Sequence, residues 1–371
     1  MHAVVKPVPF LDLSAQYKNL EAEWLDAIRE TGARGSFILG PHTQAFEQEF
    51  ADYVGVKHAI AVANGTDSLL LSLKALGIGK GDEVITTPFT FFASAETIDL
   101  AGATPVFADI LPDGFCLDPA SIRAKITAKT KAILPVHIFG YPSAMGEIME
   151  IAKKHQLAVI EDCAQSFGAL HDGKVVGSIG DSGSFSFYPT KVLGCYGDGG
   201  MVTTHSDAVN EHIRRLRNHG AAKPFVHTEI GMNSRLDEIQ AAALRIKLRH
   251  IRDDIAARQQ VAAEYTRRLA NSPAKTPTLP VDGTHVFNLY TIRVARRDAV
   301  RQALTDAQIG SSQCYPQGLH LQAVYRHLNY PVGSLPVCEH ACTETLSLPI
   351  YPGMPGAHIE RVCEVLIRAL K

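Results

Sequence analysis

Short apolar runs alternate with helical patterns along the chain from residue 58 to about residue 205. Segments such as SLLLSLKAL and SAMGEIMEIAKKH lie between the runs and repeat apolar residues three and four apart, which predicts helices. This alternation is typical of an α/β protein with a mainly parallel sheet and helices on both faces. Seven runs predict the strands of that sheet: HAIAVA, DEVITTP, TPVFADI, AILPVHIFGYP, LAVIEDCAQ, GSFSFYP and GGMVTTH.

A different pattern begins near residue 233, where a helical period continues to about residue 269 and predicts one long helix. A proline-rich loop follows it. After the loop, VFNLYTIRV, RDAVRQALTDAQIG, SSQCYP and HIERVCEVLIRALK predict strand, helix, strand and helix. We therefore expect a large domain over residues 1–250 and a small α+β domain over residues 251–371, and we leave open whether the first residues pack on the small domain.

Composition narrows the class of function. Thirty-six basic residues nearly balance 38 acidic ones, and the net charge of -2 offers no basic surface for nucleic acid or a membrane. No apolar run approaches the roughly 18 residues of a membrane helix. The seven cysteines are scattered without a C-x-x-C, which favours free thiols in a reducing, cytoplasmic setting. We expect no metal site, because CEHAC at 338–342 lacks a second ligand pair.

The chemistry is expected just after the strands, because ligands of open α/β sheets bind outside the carboxyl ends of the strands. The run HAIAVA is followed by NGTDS, in which Gly65 permits a tight turn and Thr66 offers a hydroxyl at the start of a helix. Free backbone N–H groups and the helix dipole suit a phosphate there. The same residues also fit an ordinary helix cap, so both interpretations stay open.

Two more residues follow predicted strands. Asp162 comes after LAVIE, where a buried carboxylate needs a cationic partner such as a protonated pyridine nitrogen. A cap or a structural ion pair is the alternative for this residue. Phe91, in FTFF, either lies flat against a planar ligand or belongs to the core.

Lys191 ends the segment SFSFYPTK and precedes the glycine-rich GCYGDGG. Most loop lysines are solvated, but a lysine in a packed site can lose its proton and act as an amine nucleophile. A phosphate cradle, an aromatic plate, a carboxylate for a ring nitrogen and an amine for an aldehyde are the contacts that pyridoxal 5'-phosphate (PLP) requires. Their joint occurrence predicts PLP as the cofactor and Lys191 as its Schiff-base lysine. GIGKG at 77–81 lies between a helix and a strand, the reverse of a dinucleotide turn, which disfavours a nicotinamide enzyme.

Longer motifs carry a family resemblance from about residue 8 to the C-terminus. The chain resembles the DegT/DnrJ/EryC1/StrS family of PLP-dependent nucleotide-sugar aminotransferases. The resemblance implies the fold type I aminotransferase architecture and a homodimer whose two active sites lie at the subunit interface. The motifs are PFLDL, FILGPHTQAFEQEFADYVGVKHAIAVANGTDSL, GIGKGDEVITTPFTF, VIEDCAQSFGA, SFSFYPTKVLGCYGDGG, GMNSRLDEIQAA and LSLPIYP.

The same resemblance implies a role for each candidate residue. Lys191 would form the Schiff base and Asp162 would pair with the pyridine nitrogen. The other implied cofactor contacts are Gly65, Thr66 and Ser186 at the phosphate, Phe91 on the ring, Gln165 at the ring hydroxyl or face, and Asn233 from the neighbouring subunit. The candidate substrate contacts are Arg235, Tyr315 and His320.

The implied reaction transfers an amino group, from L-glutamate by resemblance, to a keto carbon of a nucleotide-linked sugar, with pyridoxamine 5'-phosphate (PMP) between the two halves. Several motifs look closest to enzymes of the UDP-3-keto-N-acetylglucosaminuronate type, so we expect amination at C3 of a UDP- or dTDP-linked sugar. Cys314 stands where such relatives often carry a histidine. The alternatives are C4 amination of a dTDP- or GDP-linked 4-keto-6-deoxy sugar and a PLP-binding regulatory module without turnover.

Overall fold

The computed structural model describes residues 6–371, so the first five residues of the predicted large domain lie outside it. The helices are α1 (Leu13–Arg34), α2 (Pro41–Val54), α3 (Gly65–Ala75), α4 (Ala93–Leu100), α5 (Pro119–Lys125), α6 (Met145–His155), α7 (Asp207–Leu216), α8 (Glu238–Leu269), α9 (Arg297–Asp306), α10 (Pro336–Glu344) and α11 (Gly356–Ala369). Within residues 6–371, none of these helices has the length and apolar character to cross a membrane.

The strands are β1 (His58–Val62), β2 (Glu83–Thr86), β3 (Thr104–Phe107), β4 (Thr130–Leu134), β5 (Ala158–Asp162), β6 (Leu170–His171), β7 (Lys174–Val175), β8 (Ser182–Ser186), β9 (Gly200–Thr204), β10 (Ala221–Lys223), β11 (Val226–His227), β12 (Gly283–Thr284), β13 (Tyr290–Arg293) and β14 (Thr345–Leu348).

Seven of the strands form the central sheet, in the order β1-β9-β8-β5-β4-β2-β3. The run from β3 to β8 is parallel, whereas β9 runs antiparallel to both β8 and β1. Neighbouring residues of β1 enter two different apolar clusters: Ala59 packs with residues of α2 and α8, and Ile60 packs with residues of α7. Helices therefore cover both faces of the sheet. The predicted α/β fold with a mainly parallel seven-stranded sheet is confirmed.

A second apolar core lies in the C-terminal part of the chain. It combines the end of α8, the β13–β14 pair, α9 and α11. Val8 packs into this core and forms a parallel bridge to Ile309. Because α8 continues unbroken through residue 250, the division of the chain into domains at that point stays a proposal.

One predicted strand of this region is wrong. SSQCYP does not form a strand, and only Ser312 makes a bridge, to Ser347 of β14. The chain turns away here because the Tyr315 ring packs against Phe89 and Phe139 instead of continuing along the pair. The strand beside β13 is β14, whose sequence TLSL precedes the PIYP turn.

Candidate active site

A cavity of about 770 Å³ opens at the carboxyl ends of β1, β2, β5 and β8. Its volume is in the range of sites for cofactors and small ligands. Seven of the residues predicted from the sequence line it: Gly65, Thr66, Phe91, Asp162, Gln165, Ser186 and Lys191. Four separate strand ends thus bring the predicted groups to one place.

One wall of the cavity is the N-terminus of α3. The Asn64 side chain accepts a hydrogen bond from the Asp67 N–H at 2.8 Å, so the cap interpretation is correct for Asn64. The first N–H groups of the helix have no partner inside the helix and remain available to a ligand. A Cβ at Gly65 would lie 2.6 Å from the Cβ of Ser186, so only glycine allows the helix to start this close to the end of β8. The cap therefore coexists with a site suited to an anion.

Asp162 lies on the floor of the cavity and is only 4% exposed. Its Oδ2 accepts a hydrogen bond from Ser94 Oγ at 2.8 Å, and its Oδ1 accepts one from the Ala164 N–H at 3.1 Å. Burial raises the pKa of Asp162 above its ordinary value, although Ser94, Ala164 and the nearby Lys191 each oppose that effect. The negative charge of the Asp162 carboxylate is therefore only partly compensated by the groups around it.

Lys191 lies in the loop after β8, where its backbone N–H donates to the Tyr188 carbonyl at 2.9 Å. Within residues 6–371 its amine makes no hydrogen bond or ion pair. Burial lowers the pKa of Lys191, while Asp162 and Cys314 partly restore it. An amine with a lowered pKa is neutral more often at physiological pH and is a better nucleophile.

Gln165 connects the cavity to the C-terminal part of the chain. Its Nε2 donates to the Tyr315 hydroxyl at 2.9 Å, and its Oε1 accepts from the Phe139 N–H at 2.8 Å. Burial raises the pKa of Tyr315 well above its ordinary value, so the phenol stays protonated. Tyr315 therefore lies behind Gln165 and holds it, rather than lining the cavity itself.

Phe91 is 62% exposed and lines the cavity, so its alternative interpretation as a core residue is wrong for this chain. The exposed ring leaves one face available to a planar ligand.

Besides Tyr315, three predicted residues do not line the cavity: Asn233, Arg235 and His320. Asn233 is exposed, and Arg235 makes a long contact of 3.5 Å from Nη1 to Asn218 Oδ1. The prediction that His320 contacts the substrate is wrong for this structure, because the residue is 1% exposed and its Nε2 pairs with Glu339 Oε1 at 3.2 Å. Asn233 and Arg235 therefore lie outside the cavity of their own chain.

Four residues with hydroxyl groups that line the cavity were not predicted from the sequence: Thr90, Ser94, Tyr188 and Thr190. Thr90 and Ser94 both line the cavity, and their oxygens lie 3.0 Å apart, so Asp162 is connected to a short chain of hydroxyls. The helical period gave no signal for this pair, because Thr90 precedes α4, which begins at Ala93. Their proximity to Asp162 depends on tertiary packing.

Comparison with known proteins decides the family. The model of the DegT/DnrJ/EryC1/StrS aminotransferase family matches residues 18–367. The chain belongs to this family. A pleiotropic regulatory protein of Geobacillus stearothermophilus is 46% identical over 96% of this chain and 97% of its own length. A UDP-N-acetyl-3-dehydro-alpha-D-glucosamine 3-aminotransferase of Acidithiobacillus ferrooxidans is 43% identical over 98% of both chains.

Solved structures of similar proteins agree with the fold. DesV of S. venezuelae, in complex with a ketimine intermediate, matches with a TM-score of 0.96 and 42% identity over 98% of this chain and 99% of its own. NtdA of Bacillus subtilis, with bound PMP, matches with a TM-score of 0.93 and 30% identity over 100% of this chain and 86% of its own. The predicted family and enzyme class, a sugar aminotransferase, are confirmed, and the family depends on PLP.

Proposed function

We propose that this protein transfers an amino group from L-glutamate to the C3 keto carbon of a UDP- or dTDP-linked sugar, with PLP as its cofactor. The observation that carries the proposal is the amine of Lys191 and the buried carboxylate of Asp162 on the walls of one cavity. The N-terminus of α3, which suits a phosphate, lines the same cavity.

The residues fit this cofactor at three points. The absence of a Cβ at Gly65 lets the backbone of α3 approach a phosphate closely, and Ser186 adds a hydroxyl beside it. Asp162 is a buried carboxylate that lacks a full cationic partner, as a protonated ring nitrogen would provide. Lys191 is an amine without a hydrogen-bond partner among the described residues, free to react with an aldehyde.

The bound cofactor would supply an aldehyde and a ring that accepts electrons from the substrate carbon. Asp162 would hold a proton on the ring nitrogen through a charge-assisted hydrogen bond. Lys191, through its neutral amine, would be the residue that holds the cofactor's aldehyde. The Nζ of Lys191 would also be the group that accepts and returns a proton at the α carbon of the donor. Gln165, held by Tyr315, would orient the ring face.

The choice of C3 is supported by the relative from Acidithiobacillus ferrooxidans, a 3-aminotransferase of a UDP-linked 3-dehydro sugar. We also propose a homodimer, because the exposed Asn233 and the nearby Arg235 are outside their own chain's cavity. A second copy that supplies both residues would add a phosphate contact and a cation for the substrate.

The test uses the purified protein with PLP, L-glutamate and four candidate acceptors. We expect L-glutamate to bleach the visible absorbance of the PLP-loaded protein and to release 2-oxoglutarate. A UDP- or dTDP-linked 3-keto sugar should then restore the absorbance, with the amino product identified by mass spectrometry. Turnover of a dTDP- or GDP-linked 4-keto-6-deoxy sugar alone would overturn the C3 assignment and leave the aminotransferase in place.

A regulatory role is the second candidate, and the 46% identity to a pleiotropic regulatory protein favours it. A regulatory module without turnover would bind PLP but release no 2-oxoglutarate from L-glutamate. Lys191 argues for turnover, because it lines the cavity and its amine has no hydrogen-bond partner among the described residues, so it is free to react.

A further inference from the structure

Lys247 is a buried cation that the proposed chemistry does not use. It lies on α8, is 4% exposed, and its Nζ donates to the Gly194 carbonyl at 2.7 Å. The same Nζ lies 4.2 Å from the centre of the Tyr196 ring. Burial lowers the pKa of Lys247 to about 8, although Cys195 and Asp254 oppose that effect. A buried lysine is costly, so these contacts need an explanation.

The carbonyl that Lys247 binds belongs to the segment that carries Lys191. Residues 188–194 form a closed loop, which we call the lysine loop. Phe187 and Cys195 close its neck with a backbone hydrogen bond of 2.8 Å. A Cβ at Gly194 would lie 2.6 Å from the Pro189 carbonyl oxygen, so the two ends of the loop touch. A group that fixes the Gly194 carbonyl therefore fixes the whole loop.

A second contact from the same helix holds the next residues. Gln240 lies about two turns before Lys247, and its Oε1 accepts the Tyr196 N–H at 2.8 Å. On its other side the Tyr196 ring packs against Trp24 of α1, at 5.0 Å between ring centres. The segment after Lys191 is thus held by α8 and α1 together.

We propose that Lys247 is a positioning residue, which holds the lysine loop from α8 and so keeps the Lys191 amine packed in the cavity. The inference rests on the proposed function for its biological meaning, because it assigns Lys191 as the reacting amine. Its physical content concerns the environment of Lys191 and is measurable without cofactor. If the loop loosens, water reaches Lys191, the desolvation that lowers its pKa weakens, and the pKa rises.

The experiment measures the reactivity of Lys191 in the cofactor-free protein. Trace acetic anhydride labels amines in their neutral form, and mass spectrometry of the Lys191 peptide gives the labelling rate at each pH. In Lys247→Met we expect the midpoint of this profile to move to higher pH, and the labelling rate below the midpoint to fall severalfold. Lys247→Gln keeps a hydrogen-bond donor without the charge and should restore most of the original profile.

Two further variants keep the test decisive if Lys247→Met does not fold. Gln240→Leu removes only the contact to Tyr196 and should move the midpoint in the same direction by less. Tyr196→Phe keeps the ring beside Lys247 and deletes a hydroxyl that has no partner among residues 6–371, so its profile should match the parent.

A profile that stays unchanged in Lys247→Met and Gln240→Leu, with both proteins folded by circular dichroism, would overturn the positioning role. Loss of stability without a shift of the midpoint would do the same, since it indicates a structural contact alone. Failure of the proposed function would look different: the labelling profile would respond as described, but PLP would produce no visible absorbance in the parent protein.

Discussion

At the end of β5 two carboxylates are adjacent in sequence, Glu161 on the side of His137 and Asp162 on the side of the cavity. Glu161 accepts hydrogen bonds from His137 Nε2 at 3.1 Å and from three backbone N–H groups, those of residues 177, 179 and 180, at 2.7 to 2.8 Å. Among residues 6–371, the Asp162 carboxylate accepts hydrogen bonds from one hydroxyl and one backbone N–H. Both are buried, so the difference lies in the donors around them.

The different donor sets move the two pKa values in opposite directions. Burial alone would raise the pKa of Glu161, but His137 and the loop N–H groups outweigh it, and the net pKa is lowered. The pKa of Asp162 is raised, because burial outweighs its fewer donors. Glu161 therefore contributes stability above its unfolded-state pKa and loses it as the pH falls through its folded-state pKa. Ionisation of Asp162 lowers the stability of the fold as the pH rises through the raised pKa of this residue. The ionised carboxylate is therefore available to pair with a positive charge on a ligand.

Lys191→Ala should have the largest effect on turnover. It removes the reacting amine from the cavity that Asp162 lines and leaves the surroundings of Glu161 unchanged. We expect amino transfer to fall by at least about 10⁴-fold, while the Glu161 side and the fold stay intact. Turnover of L-glutamate with the preferred keto sugar measures the loss, and circular dichroism checks the fold. Transamination near the parent rate would remove Lys191 from the mechanism.

Glu161→Gln should lower the free energy of unfolding by about 3–5 kcal/mol. The amide nitrogen carries two N–H donors, and they would face the four groups that already donate hydrogen bonds to this side chain. Urea denaturation of the cofactor-free protein measures the change. The difference from the parent should narrow as the pH falls through the lowered pKa of Glu161. Glu147→Gln, in an exposed pair with Arg123 at 3.5 Å, is the matched control and should change stability by less than about 1 kcal/mol.

Asp162→Asn should have the opposite effect on stability, and this reversal is the sharpest test of the comparison. Removal of a poorly compensated charge should stabilise the cofactor-free protein by about 1 kcal/mol at neutral pH, while turnover falls about 10²–10³-fold. Asp162 also raises the pKa of Lys191, so its loss should move the pH profile of PLP incorporation to lower pH. Destabilisation of this variant at pH 7 would show that the two carboxylates are alike.

Ser94→Ala should have the smallest effect. It removes the hydroxyl that donates to Asp162 Oδ2, so the pKa of Asp162 should rise further and stability should fall by about 1 kcal/mol. We expect a modest loss of turnover, with the low-pH limb of the pH–rate profile moved to higher pH. Ser72→Ala is the control, since its buried hydroxyl contacts Ser68 and Ser184 rather than the carboxylate. An unchanged limb in Ser94→Ala would separate Ser94 from the titration of Asp162.

The sequence was sufficient to locate Asp162, Lys191 and the turn at Gly65, because each follows an apolar run and parallel strands end at one edge of a sheet. The opposite orientation of Glu161 and Asp162 was also predictable, since neighbouring residues of a strand face opposite sides. What the sequence could not show is the number of donors that surround each carboxylate. The three N–H groups at Glu161 come from a loop 16 to 19 residues further along the chain.

The sequence placed His320 incorrectly and did not decide the position of Phe91, for related reasons. His320 was a candidate substrate contact because it follows Tyr315 and Pro316 in the sequence, but the fold buries it beside Glu339. Phe91 left two interpretations open, a ligand contact or a core residue; it projects from a turn whose neighbours Phe89 and Phe92 are the ones that pack inside. In both cases the side of the chain that faces inward is set by tertiary packing, which a local pattern does not encode.

The length of α8 has a consequence for folding. Its 32 residues extend over roughly 48 Å, with Leu244 and Ile251 in the core beside the sheet and Val261 and Tyr265 in the C-terminal core. Loss of either core would leave half of an apolar helix face without partners. The two cores should therefore melt together, in one cooperative transition, and a chain cut near residue 250 should yield two fragments that fold only when mixed.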